Sequence, residues 1–280
     1  MMHDMDLRDL TRYLENLHCQ ERSAATIEKY ERALTRFYHW LPEKKRLDKD
    51  SVIDYKNELT RKFAPAGVNT SLAALNGFFR FMSWEDCIVK PLRLQRRTFA
   101  SKEKELTRRE YERLVSTAER KQHSRLSLLL QTLASTGIRA SEVRYITVEA
   151  ARCRKAVIIL KGKTRTILLP EKLCYKLLKY ARDQKIDSGE LFLTRHGRPF
   201  DRKEIWAQMK HLCCAAGVDP GKVFPHNLRH LFARIFYDSQ KDIAKLADLM
   251  GHSSVETTRI YLVSSGEEHM RALDRLHLIC

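Results

Sequence analysis

The sequence predicts a mainly α-helical protein with one small β-sheet, divided into two domains. Three observations carry the prediction. Apolar residues recur at three- and four-residue steps through most of the chain, the spacing of helices that bury one face. Two β-branched runs, A-V-I-I-L at 156–160 and R-T-I-L-L at 165–169, flank Lys161-Gly162-Lys163-Thr164, the pattern of a hairpin with a basic tip. A polar, mostly basic stretch after Pro91 shows no periodicity and reads as a linker. The expected division is a helical domain over 1–92, a linker over 93–105, and a mixed α/β domain over 106–280.

Leu7, Leu10, Leu14 and Leu17 place a first helix. Ile27, Tyr30, Leu34, Phe37 and Leu41 place a second, with Lys29, Arg32 and Arg36 on its other faces. Val52, Tyr55 and Leu59 give a third, Pro65–Gly67 interrupts, and Leu72, Leu75, Phe79 and Met82 give a fourth. In the second domain a helix opens at Leu106–Glu110 and runs to about Ala118. Leu126, Leu129, Leu130 and Leu133 build a buried helix ending near Gly137. Arg139 follows in a sharp turn towards a helix near Ser141, with Glu142 as its expected partner. Ile146–Glu149 is a candidate third strand. Pro170-Glu171 starts a helix with Leu173, Leu177, Leu178 and Tyr180 inward, and Asp201 with Glu204 caps the next.

Pro225 suits the first turn of a helix, where its missing N–H costs nothing. Ile243, Leu246, Ala247 and Met250 then mark a helix that Gly251 ends. Ser253 with Glu256 signals the cap of another, with Tyr261 two turns in. Met270, Leu273, Leu276 and Ile279 suggest a short apolar tail helix that needs something to bury it.

Composition narrows the partner. Of the 280 residues, 52 are Lys or Arg and 35 are Asp or Glu, a net charge of +17. Residues 1–100 hold 18 basic and 14 acidic side chains, so most of the excess lies in the second domain. Such an excess favours a polyanion, either nucleic acid or an anionic membrane surface. No apolar stretch approaches a membrane span, and no sustained basic amphipathic helix with exposed aromatics supports surface binding. The opening ten residues carry three Asp and no apolar core, so no signal peptide is expected. Seven Cys without a Cys-x-x-Cys read as reduced thiols in the cytoplasm, with no zinc site.

The candidate chemistry lies between Phe224 and Tyr261. His226 and Arg229 are three apart and share a helical face. His252 follows a helix-ending glycine, and Tyr261 closes the stretch. A guanidinium fork matches phosphate oxygens, and an activated tyrosine can form covalent intermediates. Singly these are ordinary surface, capping and core residues, and only their combination is specific.

T-G-I-R-A-S-E-V at 136–143, L-K-G-K at 160–163, H-N-L-R-H at 226–230, L-M-G-H-S-S at 249–254 and T-T-R-I-Y at 257–261 occur in this order. In these motifs the sequence resembles the tyrosine recombinases, or phage-type integrases. The match is dense in the second domain and looser in the first. The resemblance implies an N-terminal SAM-like domain that grips DNA and a catalytic domain of the tyrosine recombinase type. It implies a Tyr261 nucleophile and a phosphate clamp of Arg139 and Arg229. His226 takes the phenol proton, His252 donates to a phosphate oxygen, and Lys161 (or Lys163, if the tip slips) protonates the leaving oxygen. It further implies a homo-tetramer on specific double-stranded DNA sites, linked through the tail helix, with no metal and no cofactor. Asn69, Thr70, Ser71, Asn76 and Arg80 are candidates for reaching DNA, as are Arg96 and Arg97 in the linker. Two other readings share these residues: a type IB topoisomerase-like nicking enzyme and a non-catalytic DNA-binding regulator.

Overall fold

The computed structural model describes residues 1–94, 105–160, 163–194, 196–252 and 254–261, with 270, 274 and 275. Lys161, Arg96, Arg97 and nearly all of the expected tail helix lie outside the described residues, as does the side chain of Lys163. The chain divides into two compact units, Met1–Arg96 and Arg97–Cys280.

The first unit opens with a short strand β1 (His3–Asp4), followed by helices α1 (Leu7–Cys19) and α2 (Ala24–Trp40). Strand β2 (Arg46–Leu47) pairs antiparallel with β1, and α3 (Lys49–Lys62) and α4 (Pro65–Phe81) complete it. The helices bury most of the residues their spacing singled out, among them Leu10, Leu17, Leu34, Phe37, Val52, Leu72, Leu75 and Phe79, but Leu7 at the start of α1 is exposed. Asp6 and Asp48 close capping boxes at α1 and α3. One boundary differs from expectation. Pro65 does not interrupt the chain but opens α4, because proline's fixed φ suits the first turn.

Asn69 and Asn76 take partners inside the fold. They lie two helical turns apart on α4, and each clamps the chain that returns along it. Asn76 Nδ2 donates to the Val89 carbonyl at 2.8 Å, and its Oδ1 accepts from the Val89 N–H at 3.0 Å. Asn69 does the same to Leu92, at 2.9 and 2.8 Å. About 10 Å separates side chains seven apart on a helix, and three residues of extended chain span the same distance. One donor and one acceptor of each amide are therefore committed to the fold. Thr70 and Arg80 remain exposed, and Ser71 is half-buried.

In the second unit, Thr107 and Glu110 form a capping box at α5 (Arg108–Arg120). Helix α6 (Ser124–Thr136) is buried along most of its length and ends at Gly137. A 3₁₀ helix over Ala140–Tyr145 precedes α7 (Val148–Cys153). The expected third strand is therefore absent among the described residues. Thr147 makes one isolated bridge to Glu190, and its hydroxyl caps α7 instead. Strands β3 (Lys155–Leu160) and β4 (Lys163–Leu168) pair antiparallel, with Ile158 opposite Arg165. Then come α8 (Glu171–Asp183), α9 (Arg202–Ala216), α10 (Pro225–Gln240), α11 (Ile243–Met250) and α12 (Val255–Arg259). Leu129, Leu133, Leu177, Ile205, Met209 and Leu228 lie in one continuous core. The cap of α12 is Ser254 rather than Ser253, and the helix ends at Arg259, so Tyr261 sits in the turn after it.

Candidate active site

Three helix ends and one strand build the site. Helix α6 stops at Gly137, in the left-handed region at φ 63°. A Cβ there would lie 2.4 Å from the Phe232 ring, so only glycine lets α6 end this close to α10. The chain then turns and presents Arg139 as the N-cap of the 3₁₀ helix. Arg139 Nη1 donates to Glu142 Oε1 at 2.9 Å, and its backbone N–H donates to Oε2 at 2.7 Å. Glu142 is 1% exposed while the Arg139 side chain is 45% exposed. The carboxylate is thus a buried anchor that holds a guanidinium facing outward.

Arg229 is the counterpart from α10, and at 2% exposed it is among the largest fully buried side chains of the described residues. It donates to the Gly137 carbonyl, to the Met250 carbonyl at 2.8 Å, and to His252 Nε2 at 2.8 Å. The two carbonyls belong to the last turns of α6 and α11, where helices leave acceptors unpaired. Burial, then the nearby Arg139 charge, draws its pKa below the usual arginine value.

An arginine can only donate, so His252 Nε2 must accept. Its proton is then on Nδ1, which donates to the buried Thr258 hydroxyl at 2.8 Å. Burial and the charges of Arg229, Arg139 and Arg165 hold its pKa down at about 4. Both ring nitrogens of His252 are thus engaged within the protein.

Tyr261 is 8% exposed and packs with Ala233, Leu246 and Met250. Its ring meets three imidazoles, at centroid distances of 5.5 Å from His226, 4.4 Å from His230 and 5.6 Å from His252. The Arg229 guanidinium carbon lies 6.0 Å from the ring centre. Burial, then the charges of Arg229, Arg202 and Arg139, lower the pKa of His226. Burial and then His226 pull His230 to about 4.

The structure therefore assembles Arg139, His226, Arg229, His252 and Tyr261 from three distant parts of the chain. Sequence reasoning missed Arg165. It reaches Glu142 and the Met250 carbonyl from β4. The signal was available: Arg165 alternates with Ile167 and Leu169, both buried, so its side chain shares the inward face. Among the described residues, one His/Cys/Asp/Glu group is close enough to share a metal ion. It joins His3, Asp86 and Cys87 in the first unit, with ligand atoms within 4.8 Å of one another. His3 and Asp86 pair directly at 2.9 Å.

A buried arginine joining two helix ends, an outward guanidinium and a tyrosine ringed by imidazoles thus lie together in the second unit. Residues 104–268 match the phage integrase family, and residues 10–86 match the phage integrase N-terminal SAM-like domain. The chain belongs to the phage integrase family, the tyrosine recombinases. Similar proteins include tyrosine recombinase XerD of Xanthomonas campestris pv. campestris, 26% identical over 97% of this chain and 92% of the relative. Tyrosine recombinase XerA of Thermococcus kodakarensis is 28% identical over 94% and 93%. The fold is similar to XerH site-specific recombinase bound to difH substrate, with a TM-score of 0.73 and 17% identity over 98% of this chain and 99% of that one. A lambda integrase tetramer bound to a Holliday junction also has a TM-score of 0.73, with 17% identity over 91% and 76%. No helix among the described residues is long and apolar enough to cross a membrane.

Proposed function

We propose that this site-specific recombinase cuts and rejoins double-stranded DNA at specific sites, with Tyr261 as nucleophile. The phenol oxygen attacks a backbone phosphorus, and the bond from phosphorus to the 5′-oxygen breaks. The products are a 3′-phosphotyrosyl ester and a free 5′-hydroxyl. His226, beside the tyrosine, takes the phenol proton. Lys161, with Lys163 as the alternative at the same hairpin, protonates the leaving oxygen. The ester conserves the bond energy, so a 5′-hydroxyl from another strand reseals it without a nucleotide cofactor.

Arg139 and Arg229 neutralise the charge on the non-bridging oxygens. Preorganised donors of this kind contribute roughly 3–4 kcal/mol each. Counting Arg165, three guanidiniums against the single Glu142 carboxylate leave two positive charges, which suits a transition state richer in negative charge than the diester. His252 keeps Arg229 in place. One observation carries this reading: the phenol ring and the buried arginine, 6.0 Å apart, lie within one chain. That proximity also supports cleavage in cis.

Thr70, Ser71 and Arg80 on α4, with Arg96 and Arg97 of the linker, are proposed to contact DNA from the N-terminal side. The domain division 1–92, 93–105 and 106–280 serves such a two-domain grip. The repeat Met270, Leu273, Leu276 and Ile279 supports a tail helix that docks into a neighbouring subunit of a tetramer. The reduced-thiol composition supports a cytoplasmic setting.

The test begins with a duplex selected for binding from random sequence and nicked beside the cleavage position, so that the released fragment is lost. Wild-type protein should form a detergent-stable adduct that EDTA leaves intact and Tyr261→Phe abolishes. Tight binding with no adduct would make this a DNA-binding regulator. Relaxation of supercoiled plasmid of any sequence would make it topoisomerase-like.

A further inference from the structure

Arg165 lies where the hairpin meets partners of both arginines of the site. It enters from the inward face of β4, between Lys163 at the strand's start and the buried Ile167. Its side chain is 17% exposed, and each of its two terminal nitrogens reaches one acceptor, while Nε is buried without a hydrogen-bond partner. Nη2 pairs with Glu142, the same carboxylate that anchors Arg139. Nη1 donates to the Met250 carbonyl, the same oxygen that accepts from Arg229. Met250 ends α11, and His252, the other partner of Arg229, is two residues on. One unbroken polar path thus runs from Arg139 through Glu142, Arg165 and the Met250 carbonyl to Arg229 and His252.

The backbone is shaped to admit this side chain. Gly251 sits at φ 62°, and a Cβ on it would lie 2.3 Å from Arg165 Nη1 and 2.4 Å from its Cδ. Glycine is required there twice, for the left-handed turn and for the arginine lying against it. Only a guanidinium spans the two acceptors with separate nitrogens, since an ammonium is a single point. Without Arg165, Glu142 would keep its two bonds from Arg139, but Oε2 would lose one of its two donors and the buried carboxylate its tie to β4. The end of α11 would then be held by Arg229 alone.

We propose that Arg165 is a positioning residue for the cleavage step. It locks Glu142 and the α11 terminus so that Arg139 and Arg229 meet the phosphate in register, and it fixes β4 two residues from its start at Lys163. The proposal rests on the phosphotyrosyl reading above. Arg165 itself does not touch the reacting atoms, because its fork is turned onto the protein.

The test uses full-length Arg165→Lys, which keeps the charge but not the fork, on the selected nicked duplex. Expected are a DNA Kd within about threefold of wild type and a single-turnover adduct rate lower by about 30- to 100-fold. Residues acting as one unit are non-additive. In an Arg139→Lys background the same change should therefore slow cleavage by less than about threefold. Cleavage within threefold of wild type, or defects that multiply in the double variant, would overturn the proposal. So would loss of folding at the assay temperature, which would make Arg165 a structural ion pair. Failure of wild-type protein to form the adduct would defeat the phosphotyrosyl reading itself. An adduct lost in Tyr261→Phe but unmoved in Arg165→Lys would count against the positioning role alone.

Discussion

Arg229→Lys separates the clamp's chemistry from its packing. The guanidinium joins three acceptors from two helix ends: Gly137 O, Met250 O and His252 Nε2. A lysine ammonium is one point of donation and cannot serve the Gly137 side and the Met250–His252 side together. At least one buried acceptor then loses a charged donor, worth about 1.5–3 kcal/mol. The side chain also loses packing in a site that is 2% exposed. The variant should therefore be less stable by roughly 2–4 kcal/mol. Its catalytic cost is that of one misplaced transition-state donor, about 10²–10³ in rate. Thermal unfolding reads the first effect. Single-turnover adduct formation on the nicked duplex, at a temperature where the variant is folded, reads the second. DNA affinity should change little, since one buried charge contributes little to an extended electrostatic grip. A variant that loses stability but cleaves within threefold of wild type would refute the argument, for Arg229 would then be only a brace between α6 and α11.

Two further predictions follow from the geometry. Asn76→Ala removes both bonds to Val89 and leaves a buried N–H and carbonyl without partners, so the first unit should lose about 2–4 kcal/mol. DNA affinity per folded molecule should stay within twofold, measured by anisotropy below the unfolding transition, whereas a base-reading Asn76 would lower affinity without lowering stability. His230 and His252 are both held near 4, below the ordinary histidine value. Between about pH 6.5 and 4 the unfolded chain therefore binds more protons than the folded one, and stability falls as pH falls through that window. Above pH 7 the same residues add no slope. Unfolding temperatures from pH 8 to 4.5 check this, and His230→Gln should flatten the acid limb.

What the sequence determined by itself was local. Helix starts at Leu7, Thr107, Asp201 and Pro225 were legible because caps and first-turn proline act within four residues. The hairpin was legible because period-two runs and a Gly-containing turn need no distant partner. The candidate set was legible as motifs, each with its own spacing, although Tyr261 was placed inside α12 when the chain puts it just beyond. The tertiary structure decided where side-chain polar groups spend their hydrogen bonds. Asn76 showed no partner until the chain at Val89 folded back onto it. His252 showed none until Arg229, 23 residues away, took its Nε2 as acceptor. Arg165 was only the first residue of a strand run until folding brought Glu142 and the end of α11 to it. Backbone conformation answers to neighbours a turn away, whereas a buried polar atom answers to whichever partner folding brings within 3 Å, and linear order does not reveal that partner.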